Sequence, residues 1–186
     1  MQNDLFNEEI LSQDSMCIKT LRNYDEETFE ERRKRCVFLF GLVPSDNIWI
    51  SSDESYFIWE EIRVAYINGC YISTIFLAQS FIERKFQADY HMMLDFKNSK
   101  ETLNNILNKM REDKTMDSYW IERIDKIRKK RNPLAHFKDV MNEASISQRS
   151  NHNQRKAIEI LEEDAKEAIE IMYAVSRMYL KGPAKF

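Results

Sequence analysis

Arg131 and His136 stand close together in the sequence, with Pro133 between them. The chain holds only three histidines and three prolines in 186 residues. Histidine is the side chain whose unperturbed pKa lies nearest neutrality, which suits it to proton transfer. Arginine carries a planar fork of donors that matches a phosphate group. Together these residue types could serve a reaction at a phosphate.

Whether both side chains can reach one phosphate depends on the helix around them. On an unbroken helix, positions five apart lie about 140° from each other around the axis. Pro133 disfavours helical geometry at Asn132 and removes a backbone donor, and the Asn-Pro pair is a good helix start. We therefore expect one helix to end near Arg131 and another to begin at Pro133, so that Arg131 and His136 converge. The same residues also fit an ordinary helix junction with Asn132 as a cap.

A run of positive charge leads into this motif. Residues 123–131 carry six basic side chains and one acidic one, in a chain of net charge −3. Such a local basic patch is typical of an RNA-binding site. The side chains predicted to bind RNA are Lys126, Arg128, Lys129, Lys130 and Lys138. The alternative is a solvated basic helix, or one that binds the acidic last helix of the chain.

Residues 131–136, RNPLAH, resemble the signature of HEPN (higher eukaryotes and prokaryotes nucleotide-binding) domains. That signature is an Arg followed, after four to six residues, by a His, commonly with Asn, Asp or His directly after the Arg. Residues 65–86, AYINGCYISTIFLAQSFIERKF, also look like the long central helix of these domains. The resemblance covers residues 54–180 and implies an all-α bundle, whereas residues 1–50 have no counterpart in it.

The resemblance implies a metal-independent endoribonuclease without a cofactor. The RNA 2′-hydroxyl would attack the adjacent phosphate and leave a 2′,3′-cyclic phosphate and a 5′-hydroxyl. His136 would transfer protons, and Arg131 would neutralise the charge that develops on the phosphate. Asn132 would orient the histidine or the phosphate, or merely cap a helix. Glu83 is an auxiliary candidate whose alternative role is a salt bridge on a helix surface.

The family also implies partners. One histidine per motif supplies one good acid–base group, and HEPN nucleases typically pair two motifs across the two-fold axis of a homodimer. Such a protein would be a toxin or an antiviral or defence effector, and a nucleotidyltransferase-type antitoxin could restrain it. The second hypothesis is a non-catalytic HEPN-like module that binds a nucleotide or a protein. The third is a plain helical scaffold with an incidental Arg and His.

A second pair, Arg84 and His91, has six residues between its members. Lys85 follows this arginine, no proline separates the two, and the pair lies in another part of the predicted bundle. We attribute this pair to chance.

The composition favours helices throughout. Hydrophobic residues make up 43% of the chain and charged residues 32%, and only three glycines are present. Because tight hairpins need glycine and proline, we predict an all-α bundle of four to five main helices with a long C-terminal helix. The resemblance implies that this bundle is HEPN-like. The three cysteines show no C-x-x-C pairing, which argues against a metal site and favours the cytoplasm.

One stretch could cross a membrane, since residues 64–82 contain no charge over 19 positions. Its polar residues, and the charged helical sequence on both sides, instead favour a central buried helix. We therefore expect no membrane association.

Breaks in the apolar periodicity predict the helix boundaries. Residues 1–50 form an N-terminal extension including one helix at 25–40, after a loosely attached first segment, and residues 51–186 form the bundle. Ser51 fits the start of a helical run that Gly69 could divide or bend. The predicted later elements are helices at 100–111, 116–130 and 154–180, and a loop at 142–153.

The last helix shows apolar residues spaced three and four apart, which is typical of a bundle seam or a dimer interface. These residues are Ile158, Leu161, Ala165, Ala168, Met172, Val175 and Tyr179. We expect the acidic residues between them to form a solvated face. They are Glu159, Glu162, Glu163, Asp164, Glu167 and Glu170.

Overall fold

The computed structural model describes residues 2–42, 50, 52–94, 101–136 and 141–178, and for residues 2–12 and 91–94 it describes the backbone alone. Over these ranges every regular element is a helix, so the predicted all-α class is confirmed. The helices are α1 (Gln2–Leu42), α2 (Asp53–Ile67), α3 (Tyr71–Leu94), α4 (Leu103–Asp113), α5 (Ser118–Ala135), α6 (Ile146–Asn153) and α7 (Ala157–Val175).

The chain divides into two compact units, Met1–Phe40 and Gly41–Phe186. Except for its last two residues, α1 lies in the first unit; it begins at Gln2, so the expectation of a helix confined to 25–40 is wrong. Side chains 13–27 are all exposed. No face of this part of α1 is therefore buried.

In the second unit, α3 packs most extensively against α2 and α7, and it also contacts α4 and α5. The side chains of Ala78 and Phe81 on α3 are 1% exposed or less. The ring of Trp59 on α2 lies 5.4 Å from that of Phe81 and 4.5 Å from that of Tyr173 on α7, centroid to centroid. These three rings join the three helices into the aromatic part of the core.

The uncharged run at 64–82 is divided between two helices. Gly69 has a φ of 74°, in the left-handed region that glycine adopts without strain, and it separates α2 from α3. Over the described residues, none of the helices combines the length and the apolar character that a membrane crossing requires. At the start of α2, Ser52 is the N-cap, and its hydroxyl accepts from the Ser55 N–H at 3.2 Å. The predicted cap, Ser51, lies outside the described residues.

The predicted loop at 142–153 is wrong, because this segment contains α6. The Ser145 hydroxyl accepts from the Gln148 N–H at 3.2 Å and caps the helix. No side chain of α6 is fully buried, so the sequence shows no apolar periodicity there. Gln154 ends α6 with a φ of 52°, and α7 therefore begins at Ala157 rather than Gln154.

The face that α7 buries is wider than the predicted seam. The seam residues that are buried as expected are Ala165, Ala168, Met172 and Val175. Ile158 is instead 54% exposed, and Tyr179 lies outside the described residues. The additional buried side chains include Ile160, Ile169, Ile171 and Tyr173. Since α7 contacts α3, α5 and α6, this face forms part of the chain's own core.

Candidate functional site

Helix α5 continues through Pro133, so the predicted helix break at Asn132 is wrong. Asn132 is an interior residue of the helix and not an N-cap. A proline inside a helix removes one backbone hydrogen bond, but here it lies in the last turn. The His136 N–H still donates to the Asn132 carbonyl at 3.0 Å and closes that turn. The contacts of α5 with its neighbours therefore outweigh the local preference of the Asn-Pro pair.

Arg131 lies half-buried where α5 meets α3. Its Cζ atom is 4.6 Å from the centroid of the Phe76 ring. This cation–π contact holds the guanidinium in place. No hydrogen bond or ion pair joins Arg131 to another described residue, so its N–H donors are available to an anion.

His136 is the C-cap of α5 and is exposed. Its backbone is extended rather than helical, with φ −131° and ψ 135°. Because the helix is unbroken up to Ala135, no bend at Pro133 turns His136 back towards Arg131. Among the described interactions, none joins the His136 side chain to the Arg131 side chain of the same chain.

Two of the predicted RNA-binding lysines pair with acidic residues of α7. Lys130 Nζ lies 2.7 Å from Asp164 Oδ1 and 2.6 Å from Glu167 Oε2. Lys126 Nζ lies 3.2 Å from Glu167 Oε1. The basic helix therefore binds the acidic last helix, which was one of the alternatives that the sequence left open.

Two further predicted RNA-binding residues, Arg128 and Lys129, form ion pairs with an acidic residue of α5 itself. Arg128 Nη2 lies 2.7 Å from one Asp125 carboxylate oxygen, and Lys129 Nζ lies 2.8 Å from the other. Burial would raise the pKa of Asp125, but hydrogen bonds from Lys129 and Arg128 outweigh it and lower that pKa. Lys129 remains 67% exposed, and such an exposed ion pair is weak. The fifth predicted residue, Lys138, lies outside the described residues.

The strongest charged cluster surrounds Asp164, which is only 2% exposed, so the expectation of a solvated face fails at this position. Arg149 donates to both carboxylate oxygens, at 2.5 and 2.8 Å, and Lys130 approaches one of them. Burial would raise the pKa of Asp164, but these donors outweigh it and hold the pKa below its ordinary value. The sequence hinted at this burial, since Asp164 lies four residues from both Ile160 and Ala168 on one helix face. The cluster fastens α5 and α6 to α7.

Glu83 has a structural role. Its Oε1 atom accepts from the Leu103 N–H at 3.0 Å, which satisfies a free donor at the start of α4. Neither Arg131 nor His136 is among its described partners. Of the chance pair, Arg84 is exposed, and the His91 side chain lies outside the described residues.

A buried ion pair on α3 was missed by the sequence reasoning. Lys85 Nζ lies 2.9 Å from Asp89 Oδ2, and the two side chains are 3% and 7% exposed. Burial raises the pKa of Asp89, although the hydrogen bond from Lys85 opposes this. The signal in the sequence was two opposite charges at i and i+4 of one helix. Within the described part of the chain, no three His, Cys, Asp or Glu side chains are grouped so that they could hold a metal ion.

No protein-family model matches the chain, and no curated protein and no solved structure matches it significantly.

Proposed function

We propose that the chain is an endoribonuclease of HEPN type, with a site built on Arg131 and His136. The observation that carries this proposal is the contrast among the six basic side chains of residues 123–131. Five of them lie within 4 Å of an acidic side chain. Arg131 has no acidic partner among the described residues and is held by an aromatic ring instead. A positioned guanidinium without a counter-ion is suited to bind a phosphate.

The chemistry follows from the two residue types. A base removes the proton from the RNA 2′-hydroxyl, and a bond forms between that oxygen and the adjacent phosphorus. The bond from phosphorus to the 5′-oxygen breaks, and that oxygen takes up a proton. The products are a 2′,3′-cyclic phosphate and a 5′-hydroxyl. The exposed imidazole of His136 transfers protons, and the Arg131 guanidinium stabilises the charge that develops on phosphorus.

Two copies of the chain would assemble this site. The base and the acid act on opposite sides of the phosphorus, whereas one chain offers one imidazole at residues 131–136. A two-fold axis near the end of α5 supplies the second His136 and lets an arginine of one copy act with a histidine of the other. The same proposal includes a role as a toxin or defence effector, with a nucleotidyltransferase-type antitoxin as partner.

Cleavage of end-labelled RNA in the presence of a chelator tests the proposal. The wild-type chain should cut, and end mapping should show cyclic phosphate and 5′-hydroxyl termini. His136→Ala should lose about 10²–10⁴-fold in rate, and Arg131→Ala about 10²–10³-fold. Arg131→Lys should lose nearly as much, because an ammonium keeps the charge but not the planar fork.

His152→Ala and Arg84→Ala are matched controls, since both side chains are exposed. Each should cleave at the wild-type rate. Loss of cleavage in either control, or full activity in His136→Ala, would contradict the assignment. A far-UV thermal scan of each variant separates loss of chemistry from loss of fold.

A second candidate function is a helical module that binds a partner without cleaving it. The ion pairs between α5 and α7 favour it, because they use basic side chains that a nucleic-acid surface would present to phosphates. RNA that stays intact, together with RNA binding that hardly depends on salt, would support this function over the nuclease.

A further inference from the structure

Two aromatic rings and an arginine lie together at the start of α5. The rings of Tyr119 and Trp120 are 5.2 Å apart, centroid to centroid, at an angle of 76°. The Arg123 guanidinium, one turn further along the helix, lies 5.6 Å from the first ring and 5.4 Å from the second. Its Nη1 atom also donates to the Tyr119 hydroxyl at 3.2 Å. We name Tyr119, Trp120 and Arg123 the α5 aromatic cluster.

The α5 aromatic cluster is held in place, but much of its surface is open. Tyr119 remains 56% exposed although the guanidinium lies against its ring, and Trp120 is half-buried. The contacts with both rings and with the hydroxyl orient Arg123, since its acidic neighbour Glu170 is 3.9 Å away, too far for a hydrogen bond. An exposed aromatic ring beside a guanidinium is a surface on which an unpaired nucleic-acid base stacks.

The charge of α5 favours a ligand that carries phosphates. Residues Ser118–Ala135 contain six basic and two acidic side chains, so the helix has a net charge of +4 in a chain of net charge −3. Tyr119, Arg123 and Lys126 share one helix face, because they are four and three residues apart. Lys126 is 60% exposed, so its ion pair with Glu167 is weak, and a phosphate competes for this lysine at little cost.

We propose that the α5 aromatic cluster stacks a base of single-stranded RNA, one of whose phosphates is bound at Arg131. Tyr119 lies twelve residues before Arg131 on the same unbroken helix, about 18 Å along its axis. A strand that crosses both places the stacked base a few nucleotides from the bond that is cleaved. Paired bases are stacked on one another and do not reach a side-chain ring, so the cluster selects single strands over duplexes. This assignment rests on the proposed nuclease function, of which it names the substrate class.

Binding of a short single strand of 2′-O-methyl RNA tests this assignment, because that strand has no free 2′-hydroxyl and stays intact. Fluorescence anisotropy with the full chain measures Kd. Tyr119→Ala should weaken binding about 5–100-fold, the loss expected for one stacked base. Tyr119→Phe should bind like the wild type, because the ring remains and only the hydroxyl is lost. A fully paired duplex of the same sequence should bind equally well to the wild type and to Tyr119→Ala.

The matched control is Tyr56→Ala on α2. Tyr56 is 50% exposed, and its ring lies 5.8 Å from that of Phe57 at an angle of 66°, so its exposure and its aromatic neighbour are similar to those of Tyr119. This variant should bind the single strand as tightly as the wild type. A far-UV thermal scan of both alanine variants should show the wild-type midpoint, since both side chains are exposed.

Three results overturn the stacking site. The first is a wild-type Kd for the single strand in Tyr119→Ala, and the second is an equal loss of binding in the Tyr56→Ala control. The third is an equal loss for the duplex, because a duplex offers no base to stack. A wild-type chain that binds no single strand refutes the site too, and leaves the exposed rings to a protein partner.

Cleavage of unmodified RNA in the presence of a chelator separates this result from the nuclease proposal. A wild-type chain that cleaves, together with a Tyr119→Ala chain that binds and cleaves equally well, keeps the nuclease and refutes the stacking site. A wild-type chain that binds the single strand through Tyr119 but cleaves no RNA refutes the nuclease and keeps the stacking site.

Discussion

Replacing Asp164 by asparagine removes a buried negative charge from between two cations, and we expect a large loss of stability. Arg149 would lose its negatively charged partner and one of its two hydrogen bonds, because an amide group offers one acceptor oxygen where the carboxylate offers two, whereas Lys130 would keep Glu167 at 2.6 Å. Leaving a buried charge unpaired costs about 3–5 kcal/mol. The Arg149 side chain is 22% exposed, so water relieves part of this cost. We therefore expect a loss near the lower limit, about 3 kcal/mol in the free energy of unfolding.

Urea unfolding followed by circular dichroism measures this loss, and a thermal scan should show a midpoint lowered by roughly 6–12 °C. The control is Glu163→Gln, which removes an exposed neighbouring carboxylate that pairs with Arg155. That change should cost less than about 1 kcal/mol, as expected for an exposed ion pair. If Asp164→Asn unfolds at the same urea concentration as Glu163→Gln, the cluster does not fasten α5 and α6 to α7.

The same cluster predicts how stability depends on pH. The Asp164 pKa is lowered in the folded state, from an ordinary value of 3.8. Such a carboxyl contributes fully above its unfolded pKa, and the contribution is lost as the pH falls through the folded pKa. The difference in unfolding free energy between wild type and Asp164→Asn should therefore be constant near neutrality and shrink below about pH 4. A difference that stays the same in acid would refute the reasoning.

Pro133→Ala should stabilise the chain by about 1 kcal/mol, because the restored N–H completes the last turn of α5 and outweighs the added freedom of the unfolded chain. A lower unfolding midpoint in urea would show that the helix ends before Pro133. Arg131→Gln and Phe76→Leu, combined in a double-mutant cycle, should show a coupling of about 0.5–2 kcal/mol from the cation–π contact. Additive effects in that cycle would mean that the contact is not formed.

The sequence alone was sufficient for the all-α class and for several helices. The scarcity of glycine, together with the abundance of helix-forming residues, argued against folds built on β-hairpins. The helix predicted at 100–111 corresponds to α4, and Leu103, Ile106 and Met110, which are spaced for one helix face, are all buried. Gly69 was identified as a point of division because its backbone can adopt a conformation that other residues avoid. These features depend on periodicity and on local backbone preference, both of which are visible in a short stretch of sequence.

The tertiary structure decided whether α5 continues through Pro133 and which side chains pair with Asp164. The Asn-Pro pair favours a helix start, but that preference is local, and the contacts of α5 with α3 and α7 are strong enough to continue the helix. In the sequence, Asp164 is indistinguishable from the neighbouring surface acids. Its partner Arg149 stands fifteen residues earlier, on another helix, and only the fold places the two side by side. The partners of a charged side chain are set by which helices pack together. For this reason the pairing of Lys126 and Lys130 with α7, and the absence of an acidic partner for Arg131 among the described residues, could be seen only in the folded chain.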